Sequence, residues 1–294
     1  MEPRGPSAPA AKAGWRRVLR DFTTDARSLC YDLNDAEAAG ADVETNPDIQ
    51  IPRVLGYKAL IHLERRMSAK FFAAGVWERN VTGAAADANL NTVSPDRLFL
   101  DDALTDPVEV FTDEIRRLKQ RTGCSSMEIG LTLGNLLWHK IRNHAKVKSQ
   151  IVGVAGGAIG TGLIAMARQA ELPEFAALLG IRTCMVSEAI FNSKLMTADA
   201  TEAPTNTAIV PEEDALLYVN QSDNDAGMSI DNEQPSAFCR PVWNGVASGE
   251  GVQVRRFRDE KAGPSGSWSH VIDVYNGFEV VTAEAAVRFT GMIT

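Results

Sequence analysis

Between Asp106 and Gly123 the apolar positions Val108, Phe111, Ile115 and Leu118 recur at three- and four-residue intervals, which puts them on one face of a helix. The ends of this segment agree with its interior. Asp106 is placed to cap, Pro107 to take the first turn, and Glu109 to complete a capping box. Arg116, Arg117, Lys119 and Arg121 crowd the last turns, where the helix dipole favours cations, and Gly123 stands where a helix stops. A second helical stretch starts at Asn46-Pro47-Asp48, keeps Pro52 within its first turn, and meets no strong breaker before Gly75. Its apolar residues (Val54, Leu55, Leu60, Ile61, Leu63, Met67, Phe71) fall on more than one face. A helix apolar on several sides has to be covered by other elements or by other subunits.

The remaining pattern is mixed. "MEIGLT" (127–132) reads as a short strand and "GNLLWHKIRNHAKVKSQI" as one helix. A glycine-rich stretch, "GVAGGAIGTG" (153–162), leads to a helix through Ala170 and another at "PEFAALLG" (173–180). "IRTCMV" (181–186) and "ALLYVN" (215–220) read as buried strands. Two strands follow at "GVQVRRFRDE" and "WSHVIDVY". Asn276-Gly277 predicts a type I′ hairpin turn that continues into "FEVV", and "AAVRFTGMIT" adds a last strand. Residues 79–105 read as loop, 15–45 as ambiguous, and 1–14 as a mobile Pro/Ala/Gly-rich arm. The sum is an α+β chain without regular βαβ alternation.

Composition narrows the function classes. Of 294 residues, 45% are hydrophobic and 23% charged, the profile of a soluble globular protein. A net charge of −8 argues against general binding to nucleic acid or anionic membrane. The charge is uneven. Arg4, Lys12, Arg16, Arg17 and Arg20 face only Glu2 in the first twenty residues, whereas Leu195–Cys239 holds nine acidic side chains and no Lys or Arg. Cys30, Cys124, Cys184 and Cys239 lie far apart with no C-x-x-C pair, as expected of a reduced, cytosolic protein. "MEPRGPSAPAAKAG" has no apolar core for a signal peptide, so the sequons at Asn80 and Asn220 are expected to be chance.

Each candidate chemistry meets an obstacle. Gly160, Gly162 and Ala165 fit G-x-G-x-x-A, but Glu171 and Glu174 come too early and Glu188 too late for the acidic residue of a dinucleotide fold. Ser149 to Ala167 is uncharged over nineteen residues, about a bilayer's requirement, yet its glycines offer little apolar surface. His139 and His144 are five apart, about 140° around a helix, and cannot share a metal; His62 and His270 are isolated. Cys124-Ser125-Ser126 lacks any nucleophile motif. "SDNDAGMSIDNE" (222–233) approaches a calcium loop but sets Gly227 at the fifth place from Asp223 and lacks the terminal Glu; a weak cation site stays open. No catalytic, cofactor-binding or metal-binding residue is therefore expected. A capped, apolar-rich chain with no such site points to association.

The order of segments resembles the tailed-phage major capsid protein family. "DPVEVFTDEIRRLKQRTGCSSMEIGLTLGNLLWHKIRNHAKV" matches its capped "DP" helix, "TG" stop, short strand and following helix, with Asn143-His144-Ala145 where "HP" is usual. "FAALLGIRTCMVSEAIFNS" (175–193), "DALLYV" and the segment around Trp243 follow in the family's order, and 41–77 resembles the stretch bearing its spine helix. The resemblance covers roughly residues 40–294. It implies the Hong Kong-type phage capsid fold, shared with encapsulins. On that template 1–14 is an N-terminal arm, 15–47 the extended-loop region, 48–106 a peripheral domain whose spine helix is 48–76, 107–250 an axial domain, and 251–294 a return to the peripheral sheet. It further implies a non-enzymatic protein forming hexamers and pentamers of an icosahedral virion shell around double-stranded DNA, assembled in the host cytoplasm. Portal, scaffold or decoration proteins would be partners; no cofactor and no membrane would be involved. The acidic surface would keep clear of packaged DNA, residues 4–20 would face inward, and 153–162 would be a loop near the capsomer axis. An encapsulin-like compartment, or a nucleotide-dependent enzyme using the 153–162 loop, are the alternatives.

Overall fold

The structure, a computed structural model, describes residues 22–34, 46–84, 97–124, 128–155, 171–192, 206–220, 236–243, 251–259 and 267–294. Its centre is a six-stranded mixed sheet. The strands are β2 (Arg79–Ala84), β3 (Arg97–Leu98), β4 (Ile129–Gly134), β5 (Thr183–Ser187), β8 (Ala215–Val219) and β13 (Ala286–Thr290), in the order β3-β2-β13-β8-β4-β5. β4 and β8 are buried along their whole length, which explains their continuous apolar character. Antiparallel registers Leu131↔Leu217 and Leu217↔Val287 stack three aliphatic side chains across the middle.

Helices α2 (Pro107–Thr122), α3 (Asn135–Asn143) and α5 (Leu172–Leu179) pack on this sheet, and α4 (Ala145–Ala155) packs on these three helices. α2 is built as its sequence predicts. The Asp106 carboxylate accepts the Val108 N–H at 3.0 Å, and Gly123 ends the helix at φ +70° with its N–H on the Lys119 carbonyl. Phe111 meets Phe175 of α5 edge-on at 6.1 Å and Phe289 of β13 at 4.9 Å, and Trp138 of α3 stands 5.6 Å from Phe175. One aromatic cluster thus joins three helices to the sheet.

The second unit is smaller. Strands β1 (Asp25–Asn34), β10 (Val252–Asp259) and β11 (Ser267–Asn276) form an antiparallel sheet in the order β1-β11-β10. Against it lies α1 (Pro47–Phe71), capped by the Asn46 side chain on the Asp48 N–H. Leu55 and Ala59 bury against Ile272 and Val274. The far end of α1 enters the main core, where Phe71 stacks on Phe238 at 4.5 Å. α1 therefore belongs to both cores. Two short pairs complete the architecture: β6 (Ile190–Asn192) with β7 (Asn206–Ala208), and β9 (Phe238–Cys239) with β12 (Glu279–Val280).

Several expectations need correction. Residues 79–105 are not simply loop, because β2 and β3 pair in the main sheet. Only Val81 of β2 is buried, and β2's partners are distant in sequence, so no local pattern marks it. The ambiguous 15–45 region contributes the ten-residue β1. The helix expected to run to Gly75 stops at Phe71, whose carbonyl takes the Trp77 indole N–H at 2.7 Å. The single helix expected over "GNLLWHKIRNHAKVKSQI" is two. His144 is extended at φ −64°, ψ 133°, held by its ring nitrogen 3.0 Å from the Asp102 carbonyl, and Ala145 begins α4 at the family's "HP" position. Asn276-Gly277 makes no I′ hairpin. Both edges of β11 are occupied by β1 and β10, Gly277 has no positive φ, and residues 279–280 pair with β9 instead. "IRTCMV" is only partly buried as β5, since β5 is the sheet's edge and Met185 is half exposed. Residues 153–155 close α4, so the glycine-rich stretch starts as helix; 156–162 and the helix expected through Ala170 lie outside the described residues.

Candidate assembly surface

Large apolar side chains at the surface concentrate on the smaller unit. α1 leaves Ile49, Val54, Tyr57 and Leu60 between 51% and 66% exposed while burying Leu55 and Ala59 on its opposite side. The spacing of apolar residues on several faces has its outcome here: one face meets the sheet and another meets solvent. On the sheet, Leu29 and Tyr31 of β1 and Val254 and Phe257 of β10 are exposed as well. Within the described residues β1 and β10 are both edge strands, whose backbone groups are templates for another chain.

Charged contacts flank the small apolar core between the sheet and α1. Asp48 in the first turn of α1 pairs with Arg256 at 3.0 Å and lies 3.4 Å from the buried His270 ring. Arg66 reaches Asp25 of β1 at 2.7 Å and the Asn276 side chain at 3.0 Å. Buried Asp273 accepts from Ser28 at 2.5 Å and pairs with Arg255. Between α1 and β1 opens a cleft of about 450 Å³ with an aliphatic floor and a rim that includes Arg27, Lys58 and Arg65. His62 stands in it with a buried, unpartnered Nε2. Burial, followed by the nearby Arg27, Arg66 and Arg65, lowers its pKa from the ordinary imidazole value.

The residues singled out from sequence are not brought together. His62 lies in the cleft, His270 under Asp48, His144 at the α3–α4 break and His139 on the exposed face of α3. Cys124 is buried; Ser125 and Ser126 fall outside the described residues. Burial pushes the Cys184 thiol up to about 12, far from a reactive thiolate. Glu171 and Glu174 serve α5, the Glu174 carboxylate taking the Glu171 N–H at 3.1 Å, and Glu188 is exposed. Gly160, Gly162, Ala165 and the acidic 222–233 segment lie outside the described residues. Among the described residues no group of three or more His, Cys, Asp or Glu could hold a metal ion, and no helix is long and apolar enough to cross a membrane. What sequence reasoning missed is the sheet edge at β1. Its only signal was a loose alternation within "DARSLCYDLN".

No protein-family model and no curated protein matches the sequence. Solved structures do match by shape. A phage-related protein from Bordetella bronchiseptica RB50 aligns over 92% of this chain and 77% of its own, at 13% identity and a TM-score of 0.61. A structure of Mycobacterium phage Che8 aligns over 92% of this chain and 72% of its own, at 11% identity and a TM-score of 0.50. A looser likeness, with a TM-score of 0.49 and 10% identity over 95% of this chain and 82% of the other, is to the capsid of Myoviridae phage XM1. At such identities the likeness concerns fold. By fold, the chain groups with the first two of these phage proteins, in the α+β class and with the Hong Kong-type capsid architecture that the order of its motifs implies.

Proposed function

We propose that this chain is a structural shell protein, the major capsid protein of a tailed phage, which self-assembles into hexamers and pentamers of an icosahedral head enclosing double-stranded DNA. The observation that carries the reading is the apolar outer face of α1, with Ile49, Tyr57 and Leu60 all more than half exposed on a chain of phage-type fold. Exposed apolar side chains on one continuous face mark an interaction site, and repeated weak contacts in a closed symmetric assembly sum to a stable particle. In this reading α1 and the β1-β11-β10 sheet form the peripheral part; of the expected 251–294 return, β10 and β11 lie in this sheet and β13 lies in the six-stranded one. Residues 107–250 supply most of the axial part. Portal, scaffold or decoration proteins are its partners in the head, which assembles in the host cytoplasm, and no catalytic step is involved.

Nuclease-treated particles purified from the expressing cell test the genome half of the reading. Protected double-stranded DNA in particles supports a phage head. Closed particles that protect a co-purified protein and no nucleic acid would move the assignment to an encapsulin-like compartment of the same fold.

A further inference from the structure

The outward face of α1 carries a sequence order that is complementary to itself. Arg53, Tyr57, Leu60 and Glu64 follow one another at four, three and four residues, and all four are exposed. At 100° per residue they lie within about 60° of one another around the axis, so they form one seam about 17 Å long. This 4-3-4 spacing is the one by which paired helices interlock. Reversing the seam exchanges its ends and preserves its middle: basic, aromatic, aliphatic, acidic becomes acidic, aliphatic, aromatic, basic. Neither Arg53 nor Glu64 has an ion-pair partner among the described residues, and the seam makes no contact with the sheet on the opposite side of the helix. Gly56, beside the seam, has open space around it, since an added Cβ would meet nothing within 4 Å. The subunit's own packing therefore does not require glycine there. Glycine is the poorest helix former after proline, and its use in the middle of an exposed helix fits close approach by another backbone.

We propose that α1 pairs with α1 of a second copy of this chain, antiparallel and about a two-fold axis. In that arrangement Arg53 meets Glu64 of the second copy at both ends of the seam, and Tyr57 meets Leu60 of the second copy twice at its centre. Such a contact is isologous, so each favourable pair occurs in duplicate. Helix axes at the usual spacing of about 8–10 Å bring these side chains into contact. The occupant is a second copy because the face complements itself in charge and shape order; a foreign partner would need no such reversal symmetry. The inference rests on the self-assembly reading and specifies one contact within it.

The test is charge reversal and rescue, followed by sedimentation velocity, with thermal unfolding as a control for folding. Arg53→Glu alone places two carboxylates together at both ends of the seam, and Glu64→Arg alone places two cations there. Each single substitution is expected to weaken association roughly tenfold or more, with unfolding unchanged when measured at concentrations where the chain is dissociated. The double variant R53E/E64R restores both pairs in reverse and should associate within about threefold of the unsubstituted chain. Single variants that associate as tightly as the unsubstituted chain would overturn the pairing, as would a double variant no better than the singles. Shells that form regardless of either substitution remove the helix pairing and leave the shell reading intact. Dimers that obey the rescue without building shells keep the pairing and remove the shell reading.

Discussion

Glu114 has no exposed side-chain surface, yet it accepts Arg79 at 2.6 Å and Arg117 at 3.3 Å. This contact ties α2 to β2, the strand least visible in the sequence. Removing one member of a buried pair leaves the other charge without compensation. Glu114→Ala is therefore expected to cost about 3–5 kcal/mol in chemical denaturation; a loss under about 1 kcal/mol would mean that water reaches Arg79 freely. His62 makes a second prediction at this scale. Its imidazole is held neutral in the folded chain, chiefly by burial and then by Arg27, Arg66 and Arg65. As pH falls through about 6.5, an unfolded His62 takes up a proton that the folded chain resists, so acidification favours unfolding. The melting temperature should drop between pH 7 and pH 5, and His62→Gln should drop less over the same interval. Parallel melting curves for the two proteins would contradict this.

At the scale of elements, local rules were legible wherever an element's identity is decided by its own residues. α2 is the clearest case, since Asp106, Pro107, the apolar face and Gly123 all lie in or directly beside one sixteen-residue helix. Asp106→Ala removes the cap on Val108 and the bond from Gln150 of α4 at 2.7 Å. A loss of about 1–2 kcal/mol is expected by the same denaturation assay, and an unchanged midpoint would show that neither bond stabilises the fold. Other elements are decided elsewhere. β1 has almost every side chain exposed, so only β11, more than two hundred residues away, makes it a strand. The Asn276-Gly277 turn had the right residues for a hairpin, but β11 had no edge left to accept a returning strand. The break at His144 comes from Asp102, forty-two residues upstream, and no helical propensity in "IRNHAKV" records it. Propensity gave way to tertiary contacts at each of these places.

Across the whole molecule, α1 is the member that connects the parts. Its first half packs on the β1-β11-β10 sheet and its last turn enters the main core through Phe71. Between these contacts its outer face has no cover among the described residues, and the two edges of the small sheet are likewise unpaired there. The candidate surface was legible in outline, because a helix with apolar residues on several faces cannot satisfy them all within one subunit. Which face stays outside was not legible, since that depends on where the distant strand β11 packs. The phage-type fold and this uncovered face support the same proposal, that the chain associates with itself. Light scattering coupled to size-exclusion chromatography of the expressed protein tests that claim most directly. The account predicts a molar mass of five or more subunits, in rings or closed particles, over a range of concentrations. A single species of monomer mass that persists at the highest attainable concentration would contradict it.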